Sequence, residues 1–306
     1  MSGEAALLCR LRAMATDPAA RGLRDDAAVL PGSGDQLVLT SDTIVEGVHF
    51  RADDPPATVG WKLAAVNLSD LAAKGAAPLA CLLNHALAGD AGWDAAFLDG
   101  LGEALDSHGM ALIGGDTVAL PAGAPRVLSL TAIGTVPAGQ PVPARSGARP
   151  GDRLYVGGPV GDAGAGLALL AQGRDAPATL IGAYRRPVPQ LALGRALGPI
   201  VHAMMDVSDG LLIDAARMAQ ASGCAIEISH VPLSADCAAL HGASLAARLA
   251  AASAGDDYVL LAALPADQDP PAGLIEVGRC LPGAGLTLRL DGAAVPLPGR
   301  LGYEHG

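Results

Sequence analysis

Five short segments of the 306-residue chain place aspartate beside glycine or a small hydroxyl residue: RDDAAV at 24–29, TSDT at 40–43, NLSDLAA at 67–73, GGDT at 114–117 and MDVSDG at 205–210. Taken singly, each has a plain reading. Asp26 and Asp42 suit turns or N-caps, Asp116 a turn after Gly115, and Asp209 a helix N-cap. Asp70 differs because it interrupts an alanine- and leucine-rich stretch, with Asn67 and Lys74 on its face at i−3 and i+4; a solvated Asp70–Lys74 pair is its plain reading. Five such groups together suggest more. Carboxylates crowded into one place repel and raise one another's pKa unless cations lie between them. Hard oxygen donors without cysteine or histidine groupings favour Mg²⁺ or Mn²⁺ over zinc. An EF-hand fails on spacing, since the second aspartate of DVSDG comes one position too early and no suitable glutamate follows. Divalent ions bridging carboxylate and phosphate oxygens let an acidic pocket hold a polyphosphate, so a nucleotide is the natural ligand.

The elements that must position these residues alternate. DQLVLTSD reads as a strand ending at Asp42, and residues 57–74 repeat apolar positions at Val59, Leu63, Val66 and Leu71, near helical period. Residues 93–108 read as a second helix with Gly109 as its stop, followed by a strand in MALIGGD. VPAGQPVPARSGARPGD, residues 136–152, holds four prolines and three glycines and marks the domain boundary. Beyond it, RLYVGG is a short strand, GDAGAGLALLAQG a small-residue helix, and residues 211–221 a helix closed by Gly223. CAIEI, DYVLLAAL, LIEVG and LTLRL read as strands. The expectation is an α/β protein of the α+β type with two α/β domains, residues 1–137 and 138–306.

Composition excludes several classes. Hydrophobic residues make up 51% and charged residues 17%, far too apolar for a disordered chain, while aromatics at 3% imply a core of small aliphatics. A net charge of −11 opposes attraction to nucleic-acid phosphates or anionic lipid. The uncharged run from Val127 to Ala144 carries three prolines and would not span a membrane. Glu4, Arg10 and Arg12 disfavour a signal peptide, so a cytoplasmic protein is expected. The five cysteines are scattered and never in a C-x-x-C pair, which suggests buried free thiols. The two lysines, Lys62 and Lys74, form no G-K pair, closing the Walker route, and no H-R-D loop or G-x-S-x-G elbow is present. GGPVGDAG at 157–164 is a weak phosphate-loop candidate, equally a strand-to-helix turn.

In this order, the segments RDDAAVL, LTSDTIVEGVHF, VGWKLAAVNLSDLAAKGAAP, LIGGDT, ARSGARPGD, MDVSDGLLIDAARMAQASG, AGDDYVLL and LGYEH resemble the thiamine-monophosphate kinases, within the superfamily that includes aminoimidazole ribonucleotide synthetase. The resemblance spans nearly the whole chain. It implies ATP-dependent phosphorylation of thiamine monophosphate to thiamine diphosphate, on a homodimer whose N-terminal domains form a shared sheet or barrel. It further implies several Mg²⁺ ions held by Asp26, Thr40, Ser41, Asp42, Asp70, Asp116, Asp206 and Asp209. Gly115, Asp116, Arg145 and Ser208 would contact ATP, and His49, Asp256 and Tyr303 the thiamine phosphate. A guanidinium fork such as that of Arg145 suits phosphate oxygens, although an exposed linker arginine is its plain reading. His49 could equally be structural, and Tyr303, near the C-terminus, disordered.

Four positions depart from the family pattern: Arg24 and Lys74 stand where a glycine and an apolar residue are usual, and Asp256 and Val259 where glutamates are. The Asp256 carboxylate reaches about 1.5 Å less than a glutamate's. The acceptor is itself a phosphate, anionic at neutral pH, so no general base is needed and direct in-line transfer is expected. The competing readings are a sister enzyme acting through an ATP-activated amide, selenide or carbamoyl oxygen, and a non-catalytic nucleotide- or metal-binding module. The reactive Cys-Lys start of a selenophosphate synthetase is missing, since Cys9 precedes Arg10.

Overall fold

A computed structural model describes residues 24–26, 28–30 and 34–304. Cys9 and the N-terminal segment lie outside the described residues. The N-terminal domain is built on β1 (Ala28–Leu30), β2 (Gln36–Val45), β3 (Ala77–Leu87), β4 (Ala111–Ala119) and β5 (Val127–Val136), in the order β1-β2-β5-β3-β4. Neighbours run antiparallel except β3 and β4. A parallel pair needs a crossover, and helix α2 (Ala91–His108) provides it. The alternation of β5, VLSLTAIGTV, is a clean period of two: every second side chain is buried beneath helix α1 (Pro56–Ala73).

The C-terminal domain contributes β6 (Arg153–Val156), β7 (Ala203–Asp206), β8 (Ala225–Ile228), β9 (Leu260–Leu264), β10 (Ile275–Leu281), β11 (Gly285–Leu290) and β12 (Ala293–Val295). They pair in the order β12-β11-β8-β10-β6-β9-β7. Its described helices are α3 (Asp162–Ala171), α4 (Ala178–Arg185), α5 (Leu191–Leu197), α6 (Leu211–Ser222), α7 (Ala235–His241) and α8 (Leu245–Ala252). Gly223 closes α6 and Gly109 closes α2, both in the left-handed conformation, as their positions in the sequence predict.

Helix α1 holds the two domains together. It contacts β2 and β5 on one side, β7 and α5 on the other, and α2 along its length. Thirteen of its 18 residues are buried, which explains why its sequence reads as alanine- and leucine-rich all round rather than as one apolar stripe. Burying Leu63, Leu68 and Leu71 contributes about 2 kcal/mol each. One core therefore runs from Val38 and Leu130 of the first sheet through α1 to Met204 and Leu260 of the second. Small residues allow the crossing: a methyl at Gly100 would overlap the Ala57 carbonyl, and one at Gly194 the Ala72 carbonyl.

Several boundaries differ from the sequence expectation. Strand β2 continues past Asp42 to Val45, because its ladder with β5 is unbroken from Gln36 to Val45. Asp42 therefore sits within a strand rather than at its end. Asp116 likewise lies inside β4, whose nine residues are all exposed. The strand expected from DYVLLAAL narrows to Leu260–Leu264, because Asp256 and Tyr258 adopt φ of 70° and 52°. Cys81, Cys224, Cys237 and Cys280 are buried free thiols. Among the described residues no helix is long and apolar enough to cross a membrane.

Candidate functional site

The NLSD turn of α1 reaches three parts of the chain from one stretch of helix. The Asn67 side-chain oxygen accepts the Asp42 backbone N–H of β2 at 3.1 Å, and its amide nitrogen donates to the Leu63 carbonyl at 2.9 Å. The Ser69 hydroxyl donates to Asp206 Oδ2, at the end of β7, at 2.6 Å. Asp70 accepts the Thr40 hydroxyl of β2. Strand alternation puts Thr40 and Asp42 on the face toward α1 and Ser41 on the other, where its hydroxyl meets Thr131 Oγ1 at 2.9 Å. The side chain of Ser41 is thus turned away from the aspartates.

Asp26 completes the group. One carboxylate oxygen each from Asp26, Asp70 and Asp206 lie within 4.8 Å of one another. Lys74 donates to Asp26 Oδ2 at 3.1 Å and to Asp25, while Arg145 pairs with Asp26 Oδ1. The expected solvated Asp70–Lys74 pair is replaced by these buried contacts, because Lys74 lies inside the fold. Burial, then the charges of Asp42, Asp206 and Asp26, push the Asp70 carboxyl well above its ordinary range, against the Thr40 hydrogen bond. Asp206 is pushed up to about 8 by burial and then Asp26, and Asp42 to about 6 by burial, Asp26 and Asp209. Carboxyls that resist ionisation in this way are suited to a divalent cation, which removes the repulsion and prefers oxygen donors. The donor set fits Mg²⁺ or Mn²⁺ and offers zinc neither nitrogen nor sulfur.

Asp42, Asp70, Asp206 and Asp209 line a cavity of about 490 Å³ between the domains, and Asp26 joins them through Asp70 and Asp206. Ser208 and Asp209 line it from the loop before α6, and Asp209 also pairs with Arg217. Helix α6 is entered through Gly210, so Asp209 is not its N-cap. His49, Asp256, Tyr258 and Tyr303 line the same cavity, with the apolar side chains of Val48 and Leu167. His49 Nδ1 accepts the Val45 N–H at 3.0 Å, which places the neutral ring's proton on Nε2. Lys62 Nζ donates to Asp256 Oδ2 at 2.8 Å and to the His49 carbonyl at 3.0 Å, and the Tyr258 hydroxyl donates to Asp256 Oδ1 at 3.2 Å. Tyr303 is held by its N–H to the Asp209 carbonyl at 2.9 Å, so the described end of the chain folds back onto the cavity.

Asp26, Thr40, Asp42, Asp70, Asp206 and Asp209 thus gather, and Ser208, Arg145, His49, Asp256 and Tyr303 border the same space or its aspartates. Gly115 and Asp116 are not brought there: they lie on exposed β4, where Asp116 Oδ1 accepts the Thr117 N–H at 2.8 Å. In the GGPVGDAG turn, Asp257 accepts the Gly161 N–H at 2.6 Å and the Ala163 N–H at 3.3 Å. A carboxylate of the chain itself therefore caps the amides that a phosphate would need, and the turn reads as structural. Asn67, Ser69, Lys62 and Tyr258 were not evident as site residues from motifs. The one available signal for Lys62 was a lysine at an otherwise apolar-facing helical position.

Residues 24–136 match the family described as AIR synthase related protein, N-terminal domain, and residues 149–270 match its C-terminal domain. The thiamine-monophosphate kinase of Caulobacter vibrioides is 39% identical over 310 residues, covering 95% of this chain and 86% of the relative. This chain belongs to the thiamine-monophosphate kinase family. The Escherichia coli K12 member is 39% identical over 254 residues, covering 80% of this chain and 76% of its own. The thiamine-monophosphate kinase structure from Stenotrophomonas maltophilia K279a is 38% identical with a TM-score of 0.77, covering 94% of this chain and 95% of that one. AaThiL complexed with AMPPCP and TMP is 30% identical with a TM-score of 0.87, covering 99% and 97%. Hydrogenase maturation protein HypE in complex with ATP, 19% identical with a TM-score of 0.69, shares the fold of the kinase family.

Proposed function

We propose that the chain transfers a phosphoryl group from ATP to thiamine monophosphate, giving thiamine diphosphate, with Mg²⁺ held by the aspartate cluster. The observation that carries this reading is the convergence of Asp26, Asp70 and Asp206 beside a 490 Å³ cavity that Asp70 and Asp206 line together with His49, Asp256 and Tyr303. The carboxylates of the lining suit a metal-bound polyphosphate, and its aromatic and apolar side chains suit an organic ring. The match to kinases of this name, and to a neighbour bound to AMPPCP and TMP, supports the same assignment.

Asp26, Asp42, Asp70 and Asp206 would hold the cations, with Thr40 positioning Asp70 and Ser69 positioning Asp206. Bound Mg²⁺ supplies neutralisation of the charge on carboxylate and phosphate oxygens. Arg145, whose side chain keeps a fifth of its surface exposed, is placed to exchange Asp26 for a phosphate oxygen. Val48, Leu167 and Tyr258 offer apolar surface to an organic ring, while Lys62 fixes Asp256 beside it. The acceptor oxygen is already anionic, and the only pocket-lining histidine among the described residues has Nδ1 engaged by Val45, so transfer proceeds in line without a general base.

The reading includes a homodimer in the cytoplasm. Strand β4 presents an open edge with Leu112, Ile113 and Val118 exposed, beside Leu82 and Leu87 of β3. A second copy of this sheet is a self-complementary cover for such an edge, and it would bury Gly115 and Asp116 at the seam. Incubation with ATP, thiamine monophosphate and Mg²⁺, followed by mass spectrometry, tests the activity. Thiamine diphosphate and ADP in equal amounts, abolished by EDTA, are expected. Bound ATP with no thiamine diphosphate formed would overturn the assignment.

A further inference from the structure

Lys74 lies at the C-terminal end of α1 and is completely buried. Its ammonium pairs with Asp25 and, at 3.1 Å, with Asp26 Oδ2. Asp25 is bound further: its Oδ1 accepts the Arg145 backbone N–H at 3.2 Å and the Asp26 N–H at 2.9 Å. Asp26 carries a second cation, Arg145, on its other oxygen. The two cations differ in kind. Arg145 comes from the segment between the domains and keeps part of its side chain exposed, so it can exchange partners. Lys74 is rooted at the end of the central helix and has no exposed surface.

We propose that Lys74 is a resident counter-cation of the aspartate cluster, a permanent positive charge that occupies Asp25 and one oxygen of Asp26 and so sets how strongly the cluster draws in divalent ions. This rests on the reading of Asp26, Asp70 and Asp206 as a divalent-cation site. Lys74 acts on that site through Asp26 and is a positioning residue. An unpaired buried ammonium is costly, so Lys74 needs its two carboxylates, and they in turn bring the Asp25–Asp26 segment beside Asp70. Lys74 and Arg145 are taken up by Asp25 and Asp26, while Asp42, Asp70 and Asp206 add acidic groups with no cation of their own among the described residues, so the cluster holds more carboxyls than cations. Each fixed charge added or removed there must change the attraction for a divalent ion in a direction set by its sign alone.

The test is a charge cycle on the full chain, with Mn²⁺ alone as the probe and its free-ion electron paramagnetic resonance signal as the readout. Lys74→Met should tighten Mn²⁺ binding on the order of tenfold, and Asp25→Asn should weaken it by a similar factor. The double variant should return close to the unsubstituted chain. A lysine serving only as a structural tether predicts the opposite, weaker binding in Lys74→Met, and that result or an unchanged affinity overturns the proposal. If Lys74→Met fails to fold, Asp25→Asn carries the test alone, because unchanged or tighter binding there is equally fatal. Saturable binding by the unsubstituted chain separates this outcome from failure of the cation-site reading. No Mn²⁺ binding by any of the folded proteins would overturn that reading and this inference with it.

Discussion

Asp206→Asn should make the metal-free protein more stable and the protein in Mg²⁺ less so. Asp206 is buried at the end of β7, with its carboxyl raised from 3.8 to about 8, first by burial and then by Asp26. A folded-state pKa above the unfolded one means the folded chain binds the extra proton, so stability falls as pH rises through that interval. The penalty is absent below pH 3.8, grows toward pH 8 and is constant above it. At pH 7 it amounts to at most about 4 kcal/mol, since each tenfold in proton binding is worth about 1.4 kcal/mol. Asparagine cannot ionise, and its carbonyl can still accept the Ser69 hydroxyl that now donates at 2.6 Å. Half of the upper figure, about 2 kcal/mol, corresponds to a rise in Tm of roughly 3 °C for a chain of this size. Thermal unfolding in EDTA at pH 5 and pH 8 measures it: the variant's advantage should be small at pH 5 and largest at pH 8. With saturating Mg²⁺ the sign should reverse, because the variant has lost a ligand. An advantage in EDTA that does not grow with pH, or none at all, would refute the account of Asp206 as a carboxylate held under electrostatic strain.

Asp70→Asn should lose most of the turnover while keeping its circular dichroism, and near-complete activity at saturating Mg²⁺ would count against the cluster as the site of chemistry. Ile113→Glu, on the exposed face of β4, should shift the protein to monomer in light scattering; a monomer before substitution, or an unaffected dimer, removes the case for pairing through this edge. Gly100→Ala should cost roughly 3 kcal/mol or more, read by urea unfolding, because the added methyl meets the Ala57 carbonyl of the neighbouring helix rather than a movable side chain.

The order of elements was readable from periodicity because it depends on local chain chemistry. Alternation along β5, the apolar spacing of α1 and the glycine stops at Gly109 and Gly223 are all written within a few residues of where they act. The aspartate motifs were equally visible, and their residue types alone directed attention to hard divalent cations. Sequence also carried the family resemblance, since motif order survives in the chain whatever the packing.

Spacing along the chain could not say which side chains meet. Ser41 and Thr40 are neighbours with similar chemistry, yet strand alternation sends one toward Asp70 and the other toward Thr131. Lys74 stands one helical turn from Asp70, but burial of α1 between two sheets aligns it with Asp25 and Asp26, nearly fifty residues away. Asp116 belongs to a motif as distinct as the others and still lies on an open strand edge, away from the cavity. Type and local period are properties of the chain itself. Which charges face one another is decided by how the two sheets close on α1, through contacts between residues far apart in sequence.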